Sequence, residues 1–283
     1  MIHWQTLALV TIFSFLGEPC RAATSIEDCY VKAHVPVEKR ITQEHTVVLL
    51  DETTLFDSTQ QQHIQQQLLS LVRDGASVEV ISFSAFMQGR YSTPRLKLRL
   101  AAPIDEATRR DMRKDDVKDF DVCLMVSRKR AASAMRQVLS EYYGRMSADL
   151  AKSDILGVLK EVGDSVVPRI TARDKRIVLV SDMLENSDIT SFYTKGAPRE
   201  IRPAEELARA KAKGMQTDLR QAKLYVIGAG VVPPKNAANV SDTYRSNAVM
   251  GALKEFWKQQ IEASNGSLVA FGQPLLLSPI VGN

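Results

Sequence analysis

The sequence predicts an α/β domain built on a single doubly wound, mostly parallel sheet flanked by helices. Two observations carry this prediction. Short apolar runs, typical of strands buried on both faces of a sheet, alternate along the chain with segments whose apolar residues recur at helical spacing. No linker rich in Gly and Ser or in Pro interrupts this alternation, and no internal repeat is present. We therefore expect one domain, at 44–275.

The composition of the 283-residue chain is that of an ordinary globular protein. Apolar residues make up 45% and charged residues 25%, which excludes a wholly disordered chain, a collagen, a coiled coil or a small disulfide scaffold. The 37 basic and 33 acidic residues leave a net charge of +4, too small an excess to indicate a nucleic-acid partner. The three cysteines and four histidines are scattered, which excludes a zinc site of the usual ligand spacing.

The N-terminal residues predict export. The run at 7–17, LALVTIFSFLG, is shorter than the roughly 20 residues of a membrane-spanning helix and fits the apolar region of a secretory signal peptide. We expect a signal peptide at 1–22, cleaved after Ala22, an N-terminal arm at 23–43, and a periplasmic or secreted mature protein. The alternative is an uncleaved N-terminal anchor, which is the one membrane contact that the sequence predicts.

The cysteines become an even pair after export. Cleavage removes Cys20 and leaves Cys29 and Cys123 in an oxidising compartment. We expect a disulfide between these two residues that ties the N-terminal arm to the body of the domain. The alternative is two unrelated thiols, one of them buried in the apolar stretch 122–126.

The first half of the predicted domain begins with a buried strand. The run Thr-Val-Val-Leu-Leu at 46–50 predicts this strand, and Ser58 is an N-cap candidate for the helix that follows. Strict alternation of Leu with basic residues at 95–100 predicts a half-exposed edge strand. The remaining elements are a helix at 59–73, a strand at 77–83, a charge-dense solvated helix or loop at 105–120, and a strand or helix start at 122–126 that leads into a helix ending near 143.

The second half continues the alternation. Ile177-Val178-Leu179-Val180 predicts a second buried strand, and a long connection at 183–203 follows it. Gly228-Ala229-Gly230 lacks the third glycine of a dinucleotide fingerprint, so we interpret it as a tight strand exit. The remaining elements are helices at 153–162, 204–220 and 247–264, strands at 223–228 and 268–271, and a C-terminal tail at 276–283.

Two aspartates follow central strands that are far apart in the chain. Asp51 ends the first buried strand, and Asp182 ends the strand at 175–180. Ligands of open parallel sheets bind beyond the carboxyl ends of the strands, so we expect these side chains to converge there. Two neighbouring carboxylates repel each other unless a cation lies between them, and carboxylate oxygens are ligands that hard cations prefer.

The residues around these aspartates resemble the metal-ion-dependent adhesion site of the von Willebrand factor type A family. The family pattern has Asp-x-Ser-x-Ser after the first strand, a Thr before a later helix, and an Asp that ends a later strand. Asp51 and the hydroxyl of Thr53 match the first element. Ser153, just ahead of a helix, takes the place of the Thr. The resemblance implies the same fold and a Mg²⁺ or other divalent cation held by Asp51, Thr53, Ser153 and Asp182.

Leu55 departs from the family pattern because it replaces the last Ser and has no oxygen to offer a cation. A water can take its place, since Mg²⁺ usually keeps several waters. The alternative is an inherited fold whose site binds no metal, in which Asp51 accepts hydrogen bonds from loop amides.

The resemblance implies a binding module and not an enzyme. Such a domain would engage a protein partner, which the sequence does not identify, through the loops at the carboxyl edge of the sheet in an envelope or surface assembly. In the family, the cation completes its coordination with a carboxylate from the partner. We predict that Phe192 and Tyr193, in the connection 183–203, belong to the partner-binding surface. The alternative is an ordinary insertion.

A second function class is a Mg²⁺-dependent phosphotransferase or phosphatase with Asp51 as the nucleophile. Asp51-x-Thr53 after an apolar strand also resembles the haloacid dehalogenase superfamily. Thr53 stands where the simple phosphatases of that superfamily have a second Asp, and their late acidic pair is absent. The sequence has no Gly-x-Ser-x-Gly to indicate a serine hydrolase. Arg128-Lys129-Arg130 is interpreted as a solvated face, not as a nucleic-acid contact.

Overall fold

The computed structural model of the chain describes residues 28–35, 43–84, 92–147, 153–194, 197–231 and 246–281. The strands in these ranges are β1 (Glu44–Asp51), β2 (Ala76–Phe83), β3 (Ser92–Arg99), β4 (Asp174–Val180), β5 (Tyr193–Thr194), β6 (Ala197–Pro198), β7 (Lys223–Ile227) and β8 (Ser267–Phe271). The helices are α1 (Cys29–Lys32), α2 (Ser58–Ser70), α3 (Glu106–Asp111), α4 (Lys114–Arg145), α5 (Ile155–Glu161), α6 (Pro203–Ala212) and α7 (Asn247–Ala263), with a π-helical turn (Val162–Val166) and a 3-10 turn (Val167–Arg169) after α5.

Six strands form one sheet in the order β3-β2-β1-β4-β7-β8, and β5 pairs with β6 as a separate hairpin. β3 runs antiparallel to β2, and the other neighbouring pairs of the sheet are parallel. The predicted fold class is therefore confirmed. After β1 the chain adds β2 and β3 on one side and then crosses to add β4 on the other. The direction in which strands are added thus reverses between β1 and β4, and the crevice at such a reversal is the usual ligand site of open α/β sheets.

Both faces of the sheet are buried, as the continuous apolar runs predict. Val47 and Leu49 of β1 face one core, and Val48 and Leu50 face the other, because successive side chains of a strand point to opposite faces. The first core also contains apolar side chains of α5 and α7, including the fully buried Trp257. The second contains side chains of α2 and α4. Packing on both faces fixes where the strands end and hence where their terminal polar residues lie.

Several helix boundaries differ from the prediction, and two of them have a clear physical cause. The N-cap of α2 is Asp57 and not Ser58, because Asp57 and Gln60 form a capping box in which each side chain accepts a hydrogen bond from the other residue's amide. The helix predicted at 204–220 ends at Ala212. Gly214 adopts a positive φ of 68° and turns the chain away, which is the usual way for a glycine to end a helix.

The charged stretch 105–120 forms solvated helices, namely α3 and the beginning of α4. The apolar run at 122–126 lies inside α4 and is not a strand. Its side chains divide between the two sides of the helix: Cys123 and Leu124 are buried, whereas Val122 and Met125 are about half exposed, at 46% and 44%. A helix places neighbouring residues on different faces, so a short apolar run alone does not distinguish it from a strand.

The predicted disulfide between Cys29 and Cys123 is present and joins α1 to α4, with 5.6 Å between the Cα atoms. Tyr30 stacks at a tilt on Phe120, with 5.7 Å between the ring centroids. The hydroxyl of Tyr30 also donates to the Ala102 carbonyl at 3.0 Å and lies 2.7 Å from the Ala102 amide. The part of the N-terminal arm at 28–35 is thus packed against the domain by a small apolar cluster of its own.

Residues 276–281, placed in the tail by the sequence, contribute to the second core. Leu276, Ile280 and Val281 are buried there. The amide of Leu276 donates to Nε2 of His63 at 3.1 Å, and the amide of Ile280 donates to Oε1 of Gln67 at 3.0 Å. Both acceptors lie on α2, so this C-terminal segment lies along that helix.

The predicted signal peptide at 1–22 lies outside the described residues. Within the ranges that the structure does describe, no helix combines the length and the apolar character needed to cross a membrane. Export and cleavage of the N-terminal segment therefore stay predictions.

Candidate functional site

The candidate site lies where β1 and β4 end, at the reversal of the strand order. The two strands pair in parallel as far as Leu50 opposite Val180, so Asp51 and Ser181 leave the sheet side by side. Ser153 reaches the same edge because it lies two residues ahead of α5, whose apolar face packs on the sheet. Three segments that are distant in sequence therefore meet here.

The Asp51 carboxylate is completely buried and accepts four hydrogen bonds from these segments. Oδ1 accepts from the amide of Thr53 at 2.9 Å and from its hydroxyl at 2.6 Å. Oδ2 accepts from the hydroxyls of Ser153 and Ser181, both at 2.8 Å. The hydroxyl of Tyr142, on α4, donates to the Asp51 carbonyl at 2.7 Å. The structure thus brings three of the four predicted ligands together: Asp51, Thr53 and Ser153.

Among the described residues, the Asp51 carboxylate accepts its hydrogen bonds from neutral donors. Burial raises the pKa of Asp51 above its usual value, and the hydrogen bonds from Thr53, Ser181 and Ser153 offset part of that rise because they stabilise the charged form. None of these donors carries a positive charge. Buried charges in proteins are normally paired or bound to a metal, or the group becomes neutral, so an ionised Asp51 in this cluster would favour a nearby cation.

Asp182, the fourth predicted ligand, reaches the cluster in another way. Its amide donates to Oγ1 of Thr54 at 3.1 Å, and its own Oδ1 accepts from the amide of Leu184 at 2.9 Å. The side chain is largely buried, at 7% exposure. The bond between the Asp182 amide and Thr54 therefore joins the segment after β4 to the segment after β1. The Asp182 side chain lies at the same edge of the sheet as Asp51.

Ser181 and Thr54 also belong to the site, although the sequence pattern did not predict them. Ser181 donates to Asp51, and Thr54 is buried and accepts from Asp182. A signal for Ser181 was available, because a hydroxyl residue that directly precedes the strand-ending Asp leaves the sheet beside Asp51. Leu55, by contrast, adds no oxygen, and Ser181 is the third residue whose hydroxyl donates to Asp51.

The turn after Asp182 has an unusual backbone. Met183 adopts a positive φ of 62°, a left-handed conformation that non-glycine residues rarely take. The amide of Met183 donates to Oγ of Ser181 at 3.0 Å, and its carbonyl accepts from Nε1 of Trp257 at 2.8 Å. Such a conformation costs about 1 to 3 kcal/mol and persists only where its surroundings enforce it. Here Trp257, buried on α7, holds the turn that carries Asp182.

The same turn is tied to the start of α5. Oε2 of Glu185 accepts from the amides of Ile155 and Leu156, both at 3.0 Å. The amide of Asn186 donates to the carbonyl of Ser153 at 2.9 Å. These contacts hold Ser153, which donates to Asp51, in a fixed position relative to the end of β4.

Phe192 does not lie on a partner-binding surface, which corrects that prediction. Its ring is completely buried and packs edge-on against Phe256, with 5.2 Å between the centroids. Arg199 lies over the ring at 5.7 Å and forms an ion pair of 2.7 Å with the buried Glu206. Aromatic burial therefore anchors the connection 183–203 to the domain. Tyr193, which is partly buried, remains a candidate for contact with a partner.

Positive charge lies at the rim of the cluster. Oε1 of Glu52, the neighbour of Asp51, accepts from Nη2 of Arg95 at 3.2 Å and from Nε of Arg145 at 2.9 Å. The two arginine side chains are 28% and 31% exposed. One carboxylate between two guanidinium groups gives these three side chains a net positive charge. This rim would attract an acidic group once the negative charges of Asp51 and Asp182 are balanced by a cation.

The oxygens of the cluster suit a hard divalent cation. Carboxylate and hydroxyl oxygens are the ligands that Mg²⁺ and Ca²⁺ prefer, and a hydroxyl that donates its proton to Asp51 still has lone pairs for a cation. In the part of the chain that the structure describes, no three His, Cys, Asp or Glu side chains are grouped for a metal. A cation bound here would therefore depend on the hydroxyls of Thr53, Ser153 and Ser181 as much as on carboxylates.

Comparisons with known proteins give low overall similarity. No protein-family model matches the chain, and no curated protein matches it. An aerotolerance-related membrane protein of Bacteroides fragilis NCTC 9343 has 12% identity and a TM-score of 0.35 over 81% of this chain and 91% of that chain. BatB of Bacteroides thetaiotaomicron has 15% identity and a TM-score of 0.34 over 81% and 90%. The pilus adhesin SpaC of Lactobacillus rhamnosus GG has 11% identity and a TM-score of 0.35 over 78% of this chain and 30% of its own. Likeness at this level assigns no ligand or partner to this chain.

Proposed function

We propose that this chain is an exported protein-binding module of an envelope or surface assembly, which binds its partner at the carboxyl edge of the sheet with the help of a divalent cation. The convergence of three hydroxyls from three segments on the buried Asp51 supports this proposal most directly. The meeting lies at the reversal of the strand order, where open α/β sheets bind their ligands.

The cation would be held by Asp51, Thr53, Ser153 and Asp182, directly or through water, with Ser181 as a further oxygen. Because both Asp51 oxygens already accept two hydrogen bonds, Asp51 would act through its charge and through water, while the hydroxyls bound to it offer their free lone pairs. When bound, it supplies a positive charge with a coordination position for a carboxylate of the partner. The chain's own residues hold the oxygens in place. Thr53 and Ser153 keep their hydroxyls on Asp51, and the strained turn at Met183 orients Asp182.

The partner surface would consist of the loops around the cluster. These are the exit of β1 after Asp51, the residues ahead of α5, and the turn after β4. The exposed portions of Arg95 and Arg145 border this surface and add attraction for an acidic partner. The proposed partner is thus a protein that presents an Asp or Glu side chain.

The geometry gives no support to the phosphotransferase alternative. A nucleophile must be open to its substrate, whereas the Asp51 carboxylate is completely buried and both oxygens already accept two hydrogen bonds. Turnover of an aryl phosphate by the wild-type protein that is lost in Asp51→Asn would favour the enzyme over the binding module.

Thermal unfolding with and without divalent cations tests the cation part of the proposal. A cation present at 100 times its Kd stabilises the folded state by about 2.7 kcal/mol. We expect Mg²⁺, Ca²⁺ or Mn²⁺ to raise the Tm of the wild type relative to EDTA, and this rise to vanish in Ser153→Ala. Ser70→Ala is the matched control, because Ser70 lies on α2 and bonds only its own helix among the contacts described. A wild-type Tm that none of the three cations raises would contradict the proposal.

Partner capture tests the binding part. Purified protein would be incubated with envelope extract in the presence of cation or of EDTA. We expect a retained protein that EDTA releases and that Asp51→Asn fails to retain. A partner held equally by the wild type, by Asp51→Asn and in EDTA would show that binding occurs elsewhere on the domain.

A further inference from the structure

The strand β3 forms one edge of the sheet, and its charged residues are all basic. Among the strands of the described ranges, it pairs with β2 alone. Its charged residues are Arg95, Lys97 and Arg99, and it contains no Asp or Glu. Leu96 and Leu98 alternate with them and pack into the second core. Since successive side chains of a strand point to opposite faces, Lys97 and Arg99 lie together on the other face.

The exposed charge along this edge is positive. Lys97 forms an ion pair of 3.6 Å with Glu79, and Arg95 forms one of 3.2 Å with Glu52. The two acidic side chains are only 13% and 12% exposed, whereas the Lys97 side chain is 65% exposed. Arg99 is exposed as well. A molecule that approaches this edge therefore meets basic groups before it meets a carboxylate.

The backbone of Lys97 is directed away from β2. In an antiparallel pair, alternate residues direct both backbone groups to the neighbouring strand, and the residues between direct theirs away. Leu98 is of the first kind, because its carbonyl accepts from Oγ of Ser77 at 3.2 Å. Leu100, two residues further on, donates its amide to the Ala76 carbonyl at 2.9 Å. Lys97, the neighbour of Leu98, therefore offers its amide and carbonyl to a further strand.

β3 begins at the end of the sheet where the Asp51 cluster lies. Asp51 pairs with Phe83 of β2, and Phe83 pairs with Ser92, the first residue of β3. Neighbouring strands lie about 4.8 Å apart, so Ser92 is about 10 Å from Asp51 across the sheet. Lys97 and Arg99 follow along the same strand, away from the cluster. A partner segment that reaches the cluster can therefore continue along the open edge of β3.

We propose that an extended acidic segment of the partner protein adds to the sheet as a strand beside β3. Its backbone pairs with that of Lys97, and its Asp or Glu side chains, at every second position, lie beside Lys97 and Arg99. This inference rests on the proposed function in one respect, because the segment belongs to the partner that binds at the Asp51 cluster. The contact at β3 itself needs no cation.

The basic side chains also argue against a second copy of this chain as the occupant. Two β3 strands paired with each other would bring like charges together, and charged edge strands commonly prevent self-association in this way. The same charges favour a strand of opposite charge. Pro94 has no amide to donate, so the pairing would involve the part of β3 that follows it.

Fluorescence polarisation in EDTA tests the proposal with two labelled peptides, one of alternating Glu and Thr and one of alternating Lys and Thr. We expect the wild type to bind the acidic peptide and not the basic one. Lys97→Glu should weaken the acidic peptide by about tenfold and gain affinity for the basic peptide. Lys97→Gln should weaken the acidic peptide by a smaller factor. Lys254→Glu is the matched control, because Lys254 is exposed on α7, which packs beside β8 at the opposite edge of the sheet.

A third peptide separates strand addition from charge attraction alone. The acidic peptide with N-methylated Glu residues keeps its charges but loses the amide donors that would face β3. We expect it to bind more weakly than the unmodified peptide. Hydrogen exchange at the Lys97 amide should slow when the unmodified peptide is bound, because that amide then donates to the added strand.

Four outcomes would overturn the proposal. The wild type fails to bind the acidic peptide at millimolar concentration, or it binds the methylated and unmodified peptides equally well. The Lys97 amide exchanges at the same rate with and without bound peptide. Finally, the wild type forms a dimer that protects the Lys97 amide without any peptide, which would make a second copy the occupant. Because EDTA is present throughout, a failure of the cation site leaves these results unaffected, and cation-dependent stabilisation without peptide binding would refute the contact at β3 alone.

Discussion

Ser181 donates a hydrogen bond of 2.8 Å from its hydroxyl to Oδ2 of Asp51, although 130 residues separate the two in the chain. The contact joins the ends of β1 and β4 at the reversal of the strand order. It also gives the cluster a third hydroxyl where Leu55 supplies none.

Removal of the Ser181 hydroxyl tests how much this hydrogen bond contributes to the free energy of unfolding. In Ser181→Ala, Oδ2 of Asp51 keeps only the bond from Ser153, and a buried carboxylate loses one donor. We expect a loss of about 1 to 3 kcal/mol in the free energy of unfolding, measured by urea denaturation. Ser70→Ala, on the half-buried surface of α2, should stay within about 0.5 kcal/mol of the wild type. Equal stabilities of the two variants would contradict the role assigned to Ser181.

Leu55→Ser restores the hydroxyl of the family pattern. Leu55 is only half buried, so the change leaves both cores intact. We expect tighter binding of Mn²⁺ to Leu55→Ser than to the wild type, because a serine adds an oxygen at the position where the family has one. Leu277→Ser is the control, since Leu277 is fully exposed and distant in sequence from the cluster. Weaker or unchanged binding would show that the oxygen of residue 55 does not reach the cation.

The disulfide between Cys29 and Cys123 should contribute substantially to stability. It closes a loop over a sequence separation of 94, for which the chain-entropy model gives about 4 to 5 kcal/mol as an upper value. We expect the double variant Cys29→Ala, Cys123→Ala to unfold at lower urea, and a reductant to destabilise the wild type but not the double variant. A thiol titration of unreduced wild-type protein that detects free Cys29 or Cys123 would contradict the structure.

His63 makes the C-terminal segment sensitive to acid. Its Nε2 accepts from the amide of Leu276, which requires the neutral ring, and burial lowers the pKa of His63 below its usual 6.5. Stability from this group is therefore present above pH 6.5 and is lost as the pH falls through the lowered pKa.

His63→Gln offers an acceptor that does not titrate. We expect this variant to lose less stability than the wild type between about pH 7 and 5, measured by urea unfolding. His45 also has a pKa lowered by burial, so the His63 contribution is the difference between the two profiles. Identical profiles would show that the bond to Leu276 does not depend on the charge of His63.

The sheet could be predicted from the sequence because its central strands are buried on both faces and appear as continuous apolar runs. The runs of β1 and β4 also placed Asp51 and the Ser181-Asp182 pair at one edge. The apolar run at 122–126 was ambiguous for a physical reason, since a long amphipathic helix such as α4 can carry two exposed apolar residues. The burial of Phe192 depends on packing against Phe256 of α7, which no local pattern indicates.

The candidate site was predictable only in part. Asp51, Thr53 and Ser153 follow a spacing that a resemblance could reveal, and the structure joins them by hydrogen bonds. The role of Glu185 could not be found in this way, because it arises from complete burial and from amides of α5 that lie 29 and 30 residues away. Such contacts exist only once the strand exit and the helix are packed together.

Isothermal titration calorimetry of chelator-treated protein with Mn²⁺ measures whether the Asp51 cluster binds a divalent cation. We expect the folded wild type to bind one ion per chain, and Asp51→Asn and Ser153→Ala, if folded by circular dichroism, to bind none. A folded wild type that binds no Mn²⁺, or an ion that binds equally well to Ser153→Ala, would contradict the assignment of a cation to the Asp51 cluster.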